Sequence, residues 1–353
     1  MDAEVAPATL VRPRGVTVGW AGAAVGFLVG SLVLGIVAGP VELGLGDILQ
    51  SIGAKLGLPG VAPLGAIEES ILWEIRVPRV VLAALVGSTL ALSGAAYQGV
   101  FRNALADPYL LGVAAGAGLG ATLAIAYLPR ALNGQELLPP VAFVGGMLAV
   151  GLTYAVSRSA GRERDAATLV LGGVTVASFF TAAQSFVQQQ NADTLQEVYS
   201  WILGGLPSTG WSDVILVAPY VVVAGAVIIA HRRVLDVLSV GDAEAASLGI
   251  DVGRVRILLV VAATVGTAAA VAVSGLIGFV GIIVPHAIRL TAGTSFRGML
   301  PLAALVGAGF LVLADVVART VLAPAEIPIG IVTAFVGAPF FALVLRTTRG
   351  GSA

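Results

Sequence analysis

The chain has 353 residues, 58% of them hydrophobic and 11% charged, against about 25% charged in soluble domains, and its mean hydropathy is +0.98. That balance excludes a soluble globular domain and marks an integral membrane protein, while 19 basic against 20 acidic groups leave no footprint for nucleic acid. With no cysteine and two distant histidines, no disulfide, thiolate site or metal cage is expected.

Residues 1–14 form a short polar amino tail, and the apolar run behind it lacks a small-residue cleavage site, so it reads as a retained first span. Uncharged runs long enough to cross a bilayer follow at 15–41, 80–101, 108–129, 137–157, 166–192, 214–230, 257–288, 298–314 and 327–345. The run 257–288 would make roughly 48 Å of helix, too long for one crossing. It carries Gly275, Gly278, Gly281 and Pro285, so it splits near Ser274 to Gly278 into two spans. The reading is an all-α membrane domain over 15–346 with ten crossings, both termini on one side, and a carboxyl tail at 347–353. Ile67 to Trp73 is expected along the surface ahead of the second span, and Asp193 to Leu203 as a short helix ended by Gly204, Gly205 and Pro207.

Arginine placement orients the chain. With the amino end in the cytoplasm, the inner segments carry fourteen arginines, and the outer ones only Lys55, Arg76, Arg79, Arg130 and Arg319. The polar insert Leu235 to Arg256 is then cytoplasmic. It reads as two short helices, one capped by Asp242 and stopped by Gly249, the other capped by Asp251.

The only lysine is Lys55, preceded by Ala54, so no Gly-x-x-x-x-Gly-Lys-Ser/Thr phosphate loop exists and the chain has no nucleotide site of its own. Asp315 is the single acid inside a span, near its outer end, which argues against an ion-coupled carrier. Asp315 and Arg319 stand i, i+4 and can neutralise each other; alternatively Arg319 joins Arg76 and Arg79 as cations that hold carboxylates of an external protein. In the fifth span Thr175, Ser178, Thr181, Ser185 and Gln188 recur at steps of three and four, widened by Gln184. Such a stripe suits a wet pathway or close helix packing. Gly112, Gly116, Gly118 and Gly120 read as packing glycines, and His286 as a packing or hydrogen-bonding residue.

Five stretches together resemble one family: EIRVPRV (74–80), SGAAYQGVFRNALADPYLLG (93–112), SGLIGFVGIIVPH (274–286), LADVVAR (313–319) and AEIPIGIVTAFVGAPF (325–340). They are similar to the FecCD/BtuC-type permeases of ABC importers for cobalamin, ferric siderophores or haem. The resemblance implies a type II importer permease fold used as a homodimer, two cytoplasmic ATPases that hold the ATP and Mg, and an extracytoplasmic binding protein that delivers a metal chelate. It implies that 231–256 holds the ATPase coupling helices, with Asp242, Ala243, Glu244, Ala245, Ala246, Ser247, Leu248 and Gly249 in the contact. It also implies that Arg76, Arg79 and Arg319 meet the binding protein, that the fifth span lines the path, and that Ala166, Ala167 and Thr168 fall at the inner gate. An ion-coupled secondary transporter or passive channel is the alternative. The missing mid-span acids oppose the first and the capped insert opposes the second.

Overall fold

A computed structural model describes residues 17–39, 41, 43–128, 134–159, 166–206 and 210–349; the predicted amino tail and most of the carboxyl tail lie outside them. Every regular element among the described residues is helical. The α-helices are α1 (Val18–Val37), α2 (Leu45–Lys55), α3 (Ala66–Ser70), α4 (Val77–Phe101), α5 (Val113–Tyr127), α6 (Gly134–Ser159), α7 (Ala166–Gln190), α8 (Leu195–Ile202), α9 (Trp211–Ala230), α10 (Arg232–Leu238), α11 (Asp242–Ser247), α12 (Val252–Ser274), α13 (Val280–Thr291), α14 (Phe296–Thr320) and α15 (Ile329–Arg349). Seven described helical rods are long and apolar enough to cross a membrane, and α5, α13 and α15 are shorter apolar helices. Each predicted span falls on one of these ten, and the chain is a multi-pass membrane protein.

Small residues decide which helix becomes the centre. Lipid offers apolar side chains no drive to associate, so helices gather where glycine and alanine let backbones touch. In the rod that ends in α4, 78% of the spanning window is buried, against 17% in α1. A Cβ added at Gly87 would collide with the carbonyl of Gly307 on α14, and one at Gly94 with that of Gly281 on α13. Gly116 of α5 and Gly145 of α6 face each other in the same way.

The stretch Ile67 to Trp73 does not lie along the surface. A π-turn at Ile71–Arg76 joins α3 to α4 in one 36-residue rod from Ala66 to Phe101. Packing holds it there: the Trp73 indole donates to Ser51 Oγ of α2 at 2.9 Å, and Lys55 Nζ lies 4.1 Å from the centroid of that ring. The α2 helix itself was not foreseen.

The predicted split is present. α12 stops at Ser274, Gly275 takes φ +66° where a Cβ would meet the Trp201 carbonyl, and α13 restarts after Phe279. The break is held from two sides, since Gly205 N donates to Ser274 O and Ile329 N to Gly204 O, both at 2.8 Å. Tyr109 Oη also donates to Ile277 O at 3.0 Å. The expected short helix is present as α8, Pro207 lies outside the described residues, and Gly204 and Gly205 after α8 tie the break to the start of α15.

Candidate functional site

At one end of the α4–α14 pair lies a buried charge network. Arg79 on α4 donates to both oxygens of Asp315 on α14 at 2.9 to 3.2 Å, and to Glu326 Oε1 and Oε2 at 2.8 and 2.9 Å. Arg319 Nε sits 3.3 Å from Asp315 Oδ2, misaligned for a hydrogen bond, while its Nη2 donates to the carbonyl of Gly35. Arg76 donates to the carbonyls of Ile36, Val37 and Val41. The carbonyls of Gly35, Ile36 and Val37 are ones that the last turn of α1 leaves without an intrahelical partner, and Val41 lies just beyond it, so two arginines from other elements cap α1.

The sequence offers two roles, Arg319 paired with Asp315 or Arg76, Arg79 and Arg319 together facing an external protein, and the 3.3 Å approach of Arg319 to Asp315 matches the first. Here they are 3%, 7% and 4% exposed and engaged inside the chain. The reason is proximity: two carboxylates and the open end of α1 offer acceptors within reach, and a buried guanidinium left without them is costly. Glu326 is the exposed member, its side chain 39% accessible.

The polar face of α7 separates into two. Thr175, Ser178, Thr181 and Ser185 are exposed, and Gln188 is half-buried. Thr175, Ser178 and Ser185 donate to carbonyls four residues back, at 2.9 Å each. Large apolar residues flank them, with Leu171 and Phe179 about 70% exposed (68% and 70%). Gln184 does not widen the stripe: it is buried, and its amide rests on α5, where a Cβ at Gly118 would lie 2.9 Å from its oxygen. Ala166, Ala167 and Thr168 form the first turn of α7, where the Thr168 carbonyl accepts from Ser157 Oγ of α6 at 3.2 Å; the side chains of Ala166 and Ala167 lie outside the described residues. An open apolar cleft of about 570 Å³ lies between the end of α8 and α15, lined by Leu203, Leu276, Phe335 and Pro339 among others.

At the other end of the pair is the polar insert. Its short helices are α10 and α11, and Asp251 caps the spanning helix α12 itself, accepting from Arg254 N at 3.1 Å. Gly241, not Asp242, is the N-cap of α11. The Asp242 carboxylate instead accepts two bonds from Arg256 Nη2 at 3.0 and 3.1 Å and lies 3.7 Å from Arg102. Gly249 ends α11 as read: it adopts φ +79°, its N–H donates to Ala246 O, and that of Ile250 donates to Ala245 O, the paired bonds of a left-handed C-cap. Ala245 is buried, whereas Ala243, Glu244, Ala246, Ser247, Leu248 and Gly249 are exposed, Leu248 at 68%.

Two more polar ties escaped the sequence reading. Gln98 of α4 is 3% exposed, accepts from Arg289 Nη2 at 2.8 Å and donates to Gly281 O at 3.1 Å. Asp236 of α10 accepts from Ser295 Oγ and Phe296 N, at 2.9 and 2.6 Å. His286 packs its ring against Phe340 and Phe341 at 5.9 and 6.3 Å, the packing role expected of it.

Comparison with known proteins sets these features in context. Residues 27–347 match the FecCD transport family. The chain belongs to that family. The ABC transporter permease protein YvrB of Bacillus subtilis strain 168, itself uncharacterized, is 40% identical over 92% of this chain and 93% of its own length. The cobalamin import system permease protein BtuC of Halobacterium salinarum is 43% identical over 83% of this chain and 76% of its own. A transporter solved in an inward-facing conformation and assigned to the metal-chelate ABC type superposes with a TM-score of 0.79 at 29% identity, covering 92% of this chain and 98% of that one. Family membership makes the chain an ABC permease, a transport subunit.

Proposed function

We propose that the chain is the membrane subunit of an importer that carries a metal chelate inward, cobalamin or a ferric siderophore before haem. The match to the FecCD family over residues 27–347 carries the importer reading. Two copies form the path. The exposed hydroxyl-bearing face of α7 borders it, and Ala166 to Thr168 stand at its inner mouth. All ten apolar helices cross the cell membrane, with both tails and the α10–α11 segment in the cytoplasm, following the fourteen-to-five bias of basic residues.

ATP and Mg belong to two cytoplasmic ATPases, because this chain has no phosphate loop. The exposed residues of α11 and its C-cap Leu248 suit a docking peg: a helix held at its base by Arg256 and Arg102, with an apolar point left 68% exposed by the described residues. An extracytoplasmic binding protein delivers the chelate to the Arg79 end. Its carboxylates compete there with the exposed Glu326 for the outer edge of the Arg79 guanidinium, which is how a buried arginine takes part in docking.

Reconstitution of the chain with its ATPase and binding protein tests this. Uptake of labelled cobalamin or ferric siderophore should need ATP and ignore a collapsed proton gradient. Uptake that follows the gradient without ATP would reverse the choice in favour of an ion-coupled carrier.

A further inference from the structure

The α10–α11 segment is fastened to the membrane helices at two points, and one of them does an unusual job. Ser295 occupies the N-cap position of α14 but makes no side-chain cap bond of its own. Its hydroxyl donates instead to Asp236 of α10 at 2.9 Å, and the same carboxylate accepts from the first free amide of α14, Phe296 N, at 2.6 Å. Arg297 Nε lies 3.4 Å away. A carboxylate from another helix therefore caps α14, favoured by the helix dipole and the guanidinium. Beneath it, α10 meets both central helices at Gly99 of α4, where a Cβ would stand 2.8 Å from both the Leu235 and Phe296 side chains.

From that cap α14 runs 25 residues, roughly 37 Å, to the opposite end. On the way its Gly307 touches the backbone of Gly87 on α4, and at the far end Asp315 is clamped by Arg79 of the same α4. Backbone contact in the middle and a charge clamp at the end leave the two helices little room to slide or bend independently. Displacement of the Asp236 end is therefore delivered to the Arg79 end.

Resting on the importer reading and deepening it, we propose that Asp236 is the positioning residue that couples the ATPase-docking helix α11 to the α4–α14 pair, and through it to the binding-protein face. It contacts neither nucleotide nor chelate. Its role is to make α14 follow α10.

The test uses the full transporter in lipid nanodiscs and compares wild type with D236A and D236N. Three quantities are read: co-purified ATPase, basal hydrolysis, and the stimulation of hydrolysis by chelate-loaded binding protein. With D236A the ATPase should still co-purify and basal hydrolysis stay within about twofold, while stimulation falls about tenfold, the scale of one lost charge-assisted hydrogen bond. D236N retains one acceptor oxygen and should fall between the two. A merely structural role would lower all three together and leave the stimulation ratio at the wild-type value, which would overturn the proposal. If D236A does not assemble, the D236N ratio decides: a reduced value supports the coupling and an unchanged one removes it. Wild-type transporter that shows no stimulated hydrolysis at all would instead remove the importer reading.

Discussion

At the Arg79 end of the α4–α14 pair, the side chain of Asp315 is 1% exposed and shared between two arginines; at the opposite end, the side chains of Asp242 and Asp236 are 44% and 18% exposed and hold the α10–α11 segment to the long helices. The same kinds of charge do opposite work. In the dry network each group is needed to make the others tolerable, because an unpaired buried charge is costly while a complete set is close to neutral. In the insert the exposed Arg102–Asp242 pair is worth about 0 to 1 kcal/mol, while the part-buried ties of Asp242 to Arg256 and of Asp236 to α14 lie between these extremes. One end is locked by mutual pairing and the other is held by ties more open to solvent.

The largest break of this contrast is at Asp315. Replacing it by leucine leaves Arg319 without its only carboxylate contact among the described residues and Arg79 with Glu326 alone. The expected loss is about 3 to 5 kcal/mol, seen as a lowered thermal midpoint in detergent and poor recovery of folded protein. A midpoint equal to wild type would show the network to be ornamental.

None of that network's wiring was legible in the sequence beyond the i, i+4 pair of Asp315 and Arg319. The partners of Arg79 lie 236 and 247 positions away, and no local pattern announces them. The same limit hid the cap that Asp236 places on α14, 60 positions on. Features set by local chemistry are readable: the spans from their apolar runs, the split from its glycines and Pro285, and the stop at Gly249 from glycine's tolerance of a left-handed C-cap. The surface placement of Ile67 to Trp73 failed because charged Glu68, Glu69 and Glu74 looked like a membrane edge. Yet a helix can run past that edge when α2 packs against its exposed turn. Gln184 was misplaced because sequence spacing gives a side chain's angle around the helix and not which neighbour approaches that angle.

A second break concerns the insert. Leu248 is 68% exposed, so Leu248→Asp should leave the thermal midpoint within a degree or two, while co-purification of the ATPase drops by about tenfold or more. Asp242→Asn, which loosens the base of α11, should cost less than about 1 kcal/mol in stability. If the L248D chain retained its ATPase at wild-type levels, the docking surface would have to lie elsewhere on the cytoplasmic face.

Asp107 sharpens the comparison from a third position. It lies in the loop between α4 and α5, where it accepts from Tyr109 N at 2.7 Å, and burial pushes its pKa up to about 6 against that hydrogen bond. Unlike Asp315, it contacts no arginine among the described residues. An acid whose folded pKa lies above its unfolded value near 3.8 keeps its proton in the folded chain between about pH 4 and 6 and loses it sooner when unfolded. Stability from this group is therefore greatest at the acidic side, falls as pH climbs through that window, and is level above it. Other groups titrate as well, so the informative quantity is the difference between wild type and Asp107→Asn, which keeps an oxygen for the Tyr109 amide and removes the titration. Relative to D107N, wild type should lose about 1 to 2 kcal/mol between pH 4.5 and pH 7. A difference that stays flat with pH would mean that burial does not favour the protonated form of Asp107 in the folded chain.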